Sequence, residues 1–107
     1  MSWKIIHTKS ADHNLEEIRN YISNVLIEPE IARKQIARII HAISSLDHMP
    51  ERHRLYEHEP WRSKGLRIFP VDNYLILYAL DESQHVVEIA RIIYGRRNLA
   101  VQLAQSE

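Results

Sequence analysis

The stretch "GLRIFPVDNYLILYALDESQHVVEIARIIYGRRN", Gly65 to Asn98, decides the fold. Three apolar runs stand in it, at 66–71, 74–80 and 85–94, rich in the β-branched and aromatic residues that suit a pleated surface. Asp72-Asn73 separates the first two and the Asp81 to Gln84 run separates the last two, and both supply turn chemistry. The spacing predicts an antiparallel meander. Pro70 has no amide donor, so the first of these strands belongs at a sheet edge or ends there. The last run leaves the core through Tyr94 and Gly95 and then presents Arg96 and Arg97 in succession.

Upstream, "SWKIIHT" alternates Trp3, Ile5 and His7 against Lys4, Ile6 and Thr8, a period-2 pattern that predicts a short first strand. A helix should follow, with Ser10 as its N-cap and Leu15, Ile18, Ile22, Val25 and Leu26 on its buried face. Pro29 stops it and can occupy the first turn of a second helix, which should bury Ala32, Ile36, Ile39, Ile40 and Ile43. From Asp47 to Gly65 no period is stable, and Leu55, Tyr56 and Trp61 are the expected anchors of an irregular segment. Beyond Gly95, Leu99 and Leu103 stand four apart in "RNLAVQLAQ", enough for a short helical tail. The order is β-α-α-β-β-β in a single domain spanning 1–107: an α+β fold, with the N-terminal strand and αα-hairpin packed on one face of a small antiparallel sheet. The opposite face is expected to stay open as a groove.

Composition narrows the function. The 14 basic and 14 acidic residues cancel, which argues against a nucleic-acid coat held by bulk phosphate neutralisation. Positive charge gathers in the middle: 31–67 carries eight basic and four acidic groups, while the flanking thirds each carry three and five. There is no cysteine, so disulfides and thiolate metal sites are excluded. His48, His53 and His58 are spaced five and five, which fits no compact zinc motif, and no metal or cofactor is expected. No apolar h-region follows Met1 and no run approaches the roughly 18 apolar residues of a membrane span, so a cytoplasmic location is expected.

Arginines are the informative polar residues. Arg91 sits among Val87, Ile89 and Ile93, where a guanidinium needs a carboxylate such as Glu88 or Asp72, or else serves function directly. Arg67 alternates with Ile68 on the first meander strand and is open to either role. Arg96 and Arg97 follow a glycine at a strand exit, where a bidentate guanidinium can reach a phosphate or an acidic partner. Tyr94 is either a packing ring or a group that stacks on a base or donates a proton.

With Arg67, Tyr74, Tyr78, Asp81, Arg91, Gly95 and Arg97 in this order and at these separations, the block from Gly65 to Asn98 resembles the ParE branch of the RelE/ParE superfamily of type II toxins, the plasmid stabilisation proteins. The helical hairpin after a short first strand fits the same family. The resemblance implies a toxin neutralised by a cognate antitoxin, the pair binding operator DNA through the antitoxin, as a hetero-oligomer or with a toxin homo-oligomer. It implies one of two activities: poisoning DNA gyrase, which is binding, or cutting mRNA on the ribosome, which needs a general base, phosphorane stabilisation and a proton donor. For the nuclease, the resemblance maps the basic set onto Arg67 and Arg97, with Arg62, Lys64 and Tyr94 as contributors. The tyrosine that the nuclease pattern places in the C-terminal helix is Leu103 here, and no histidine follows His85. Gyrase inhibition is therefore the first expectation, the endonuclease the second, and an inactive antitoxin-binding module the third. Acidic antitoxin residues are expected to pair with Arg67, Arg96 or Arg97.

Overall fold

The computed structural model describes residues 2–95. The elements are β1 (Lys4–His7), α1 (Lys9–Asn20) running into a π-helical turn (Tyr21–Val25), α2 (Pro29–Ser44), β2 (Arg67–Val71), β3 (Tyr74–Asp81) and β4 (Val86–Tyr94). Two 3-10 turns, Ser45–Asp47 and Pro50–Arg52, follow α2. The order is the one predicted.

The three C-terminal strands form the expected meander, and β2 with its proline lies at the edge of the sheet order β1-β4-β3-β2. The sheet is nevertheless mixed rather than antiparallel, because β1 lies in its plane and pairs parallel with β4, Lys4 opposite Val86 through His7 opposite Ile89. Periodicity says that a segment is a strand; only the crossover through the helical hairpin fixes its direction.

Both helices pack on one sheet face. Ala11, Leu15, Ile36, Ile39 and Ile43 meet Tyr74, Ile76, Tyr78, Val87, Ile89 and Ile92 in the main core. The predicted helix faces need correction at Val25 and Leu26, at the hairpin end, and at Ile40, near the far end of α2, all of which are exposed. The N-cap also differs: Thr8 Oγ1, not Ser10, accepts from the Ala11 amide at 3.0 Å. The same hydroxyl contacts the Ile89 and Ala90 carbonyls at 3.1 and 2.9 Å. Thr8 wins because it alone stands where the strand ends against β4. Pro29 opens α2 as expected.

The second sheet face is not an open groove. Leu75, Leu77 and Ile93 are buried there with Ile68, under Tyr56, Leu66 and the half-buried Trp61. The irregular segment covers this face because its backbone continues the sheet edge: the Tyr56 amide donates to the Leu66 carbonyl at 2.8 Å and the Ile68 amide to Arg54 at 3.0 Å. Tyr56 and Trp61 thus anchor it as predicted. The predicted tail, with Arg96, Arg97, Leu99 and Leu103, lies outside the described residues.

Candidate functional site

β1 stops at His7, but β4 continues to Tyr94, and α1 runs beside the unpaired remainder. The β4 amides there need acceptors, since a buried N–H without one is costly. Asn14, on the inner face of α1 and 8% exposed, supplies one: its Oδ1 accepts the Ile92 amide at 3.0 Å. It also accepts from Arg91 Nε at 3.0 Å. Sequence reasoning overlooked Asn14. The available signal was an amide side chain between Ala11 and Leu15 on the apolar stripe.

This contact corrects the reading of Arg91. The β3–β4 register shifts between Leu77 and Tyr78, which pair with Arg91 and Ile89, so Ala90 is an extra residue and the alternation resets. Val87 and Ile89 therefore face the helices, whereas Ile93 belongs to the second core. Asp72 is occupied elsewhere: it accepts from Arg38 at 2.8 Å and Gln35 at 2.9 Å, contacts that hold its carboxyl below the usual range. Arg91 instead comes to the wall of a groove of about 610 Å³ between the helical hairpin and the end of the sheet. Asn14, Glu17, Ile18, Tyr21, Ile22, Leu26 and Ile31 line one side; Tyr74 and Ile92 to Tyr94 line the other.

Tyr94 is brought to this groove, 64% exposed, with its ring edge against Tyr74 at 5.3 Å. Burial is the main influence raising the Tyr74 phenol, with Tyr94 next. Gly95 follows at φ +70°, a left-handed position that glycine takes without strain, and its amide donates to Asn73 at 2.6 Å.

Arg67 goes elsewhere. It stands opposite Tyr78 on β3, and its Nη1 donates to the Glu51 and His53 carbonyls at 3.1 and 2.7 Å. Tyr78, pushed up to about 12 by burial, donates to the Pro50 carbonyl beside it. His53 stacks on Phe69 at 3.9 Å, and burial first, then Arg52 and Arg67, lower its pKa. These groups pin the segment after α2 onto β2 and β3. Arg62 and Lys64 are exposed on the loop over the second face, with Lys64 Nζ 5.1 Å from the Trp61 ring centre. Among the described residues no cluster of three His, Asp or Glu is placed to hold a metal, and no helix is long and apolar enough to cross a membrane.

A meander edged by a parallel strand, with a helical hairpin on one face, is a small α+β fold that solved structures share. The match to a chain of the chromosomal ParDE toxin–antitoxin system from P. aeruginosa covers 89% of this chain and 98% of that one, at 20% identity and a TM-score of 0.73. It is similar to the toxin–antitoxin complex RelBE2 from Mycobacterium tuberculosis, at 19% identity and a TM-score of 0.66 over 88% of this chain and 99% of that one. It is also similar to the archaeal RelE-RelB complex from Pyrococcus horikoshii OT3, at 13% identity and a TM-score of 0.60 over 91% and 99%. Comparison with curated proteins returned no match. Residues 5–99 match the family described as the ParE toxin of the type II toxin-antitoxin system, parDE, and the chain belongs to that family. It is a type II toxin of the RelE/ParE superfamily.

Proposed function

We propose that this toxin arrests growth by binding and poisoning DNA gyrase, in the cytoplasm, and that a cognate antitoxin neutralises it by laying an amphipathic helix in the groove. The observation that carries the reading is the separation of the candidate nuclease groups. Arg67 stands opposite Tyr78 and Tyr94 opposite Tyr74, four residues apart along β3. At ~3.3 Å per residue their backbones are about 13 Å apart along the strand direction, on the two strands that flank β3, so Arg67 and Tyr94 do not stand side by side as a clamp and its proton donor. Arg67 is moreover turned toward the 51 and 53 carbonyls. Binding makes no such demand, and the apolar groove suits it.

An antitoxin helix with apolar residues at i, i+3/i+4 and i+7 fits walls made of Ile18, Tyr21, Leu26 and Ile31, and an acidic group on it can approach Arg91. Arg96 and Arg97 follow Gly95 directly in the sequence. Operator DNA binding enters through the antitoxin.

Induction of the gene without its antitoxin tests the reading. Filamentation with a DNA-damage response, and purified protein that inhibits supercoiling and traps cleaved DNA, are expected. Codon-positioned mRNA cleavage with intact gyrase activity overturns it in favour of the endonuclease. Unimpaired growth leaves only the antitoxin-binding module.

A further inference from the structure

The tip of the helical hairpin exposes more apolar surface than its fold requires. Tyr21, Val25, Leu26, Ile27 and Ile31 are 54%, 63%, 51%, 77% and 54% exposed, all within eleven residues around one turn. Large exposed apolar patches on small domains mark interaction sites.

Two backbone features make the exposure a constructed one. The helix widens to a π turn at Tyr21–Val25, with the Leu26 amide donating to Tyr21 and the Glu28 amide to Ile22. Ile27 then sits at φ +56°, a left-handed conformation unfavourable for a β-branched side chain. Asn or Gly would close the same turn without strain, so the strained isoleucine places an alkyl group at the outermost point of the hairpin.

Charge selects the kind of partner. No Lys or Arg stands between Asn20 and Ala32. The flanking arginines are both held by carboxylates one turn earlier, Arg19 by Glu16 and Arg33 by Glu30. Glu28 is exposed at the turn. Nothing here grips a phosphate backbone or an anionic lipid, so the surface suits a protein with an apolar patch and a cationic rim.

We infer that the hairpin tip is the surface by which this toxin docks on its protein target, separate from the groove but continuous with it. The inference rests on the toxin reading above. Tyr21, Leu26 and Ile31 line the groove as well as the tip, so a helix seated in the groove covers part of the docking surface. That overlap gives neutralisation a steric basis. Val25 and Ile27 are outside the groove lining and belong to the tip alone.

The test uses full-length Val25→Asp and Ile27→Asp, the second chosen because aspartate tolerates a left-handed backbone. Growth arrest on induction, affinity for the purified antitoxin and inhibition of purified gyrase are measured, with light scattering for self-association. Loss of growth arrest by tenfold or more, with antitoxin affinity within about threefold of wild type, is expected. Arrest as strong as wild type overturns the inference, whichever target the wild-type protein is found to attack. So does a wild-type dimer that Ile27→Asp dissolves with toxicity intact, which makes the tip a contact between two copies. The gyrase assay judges the earlier reading separately: wild-type protein that arrests growth yet leaves gyrase untouched removes gyrase as the target, while the growth phenotype of the two variants still decides for or against the tip.

Discussion

Replacing Asn14 by alanine tests the account of how α1 is fastened to β4. Its Oδ1 accepts both the Ile92 amide and Arg91 Nε, each at 3.0 Å. Ile92 is 2% exposed, so its amide has no solvent to fall back on. Leaving one buried donor unsatisfied costs ~1–3 kcal/mol. The buried amide sets the loss, and a destabilisation of about 2 kcal/mol follows. For a domain of this size that lowers Tm by roughly 10 °C. Urea unfolding should show a lower midpoint at unchanged slope, because the same surface is exposed on unfolding. Asn14→Asp keeps an acceptor for both donors and should retain more stability than the alanine variant near neutral pH. An alanine variant within about 0.5 kcal/mol of wild type, the range of an ordinary surface substitution, would refute the reasoning.

Thr8→Val should cost about 1 kcal/mol through the lost helix cap, whereas Thr8→Ser should fold almost as stably as wild type, as read by thermal unfolding. Ile27→Asn should raise stability by about 1 kcal/mol, since it removes a β-branched residue from a left-handed position at little loss of burial, and a drop in the denaturation midpoint would contradict this. Ile31→Glu, on the groove wall, should weaken antitoxin binding at least tenfold, about 1.4 kcal/mol, in a titration that leaves Tm nearly unchanged. For pH, His53 has a folded pKa below its unfolded value, so the unfolded chain takes up its proton first. Its contribution is complete above the unfolded pKa, near 6.5, and is lost as pH falls toward the folded one; urea midpoints between pH 7.5 and 5.5 should fall, and His53→Gln should flatten that slope.

The meander was legible because its signals are local. Turn residues at Asp72-Asn73 and a proline at position 70 act on their own backbone, and each strand carries its own alternation. The candidate site was harder to read because its parts answer to neighbours distant in sequence. Arg91 looked like a member of the Val87 and Ile89 face until the bulge at Ala90 reset the parity, and no propensity announces a bulge of this kind. Arg67 was open to either role in the sequence, and only the fold shows that its guanidinium donates to the Glu51 and His53 carbonyls after the distant helix α2. Leu26 obeys helical spacing, but the π turn rotates the chain before Ile27 and leaves it on a groove wall rather than in the core.

By itself, then, the sequence determined the elements, their order, the meander and the superfamily, because period and turn chemistry are properties of short segments. Tertiary structure alone decided the direction of β1, the capping role of Thr8, the partner of Arg91, the covering of the second sheet face and the exposure of the hairpin tip. Each of these depends on which donor meets which acceptor, or which surface meets which, across tens of residues of chain, and only the folded backbone brings them within reach.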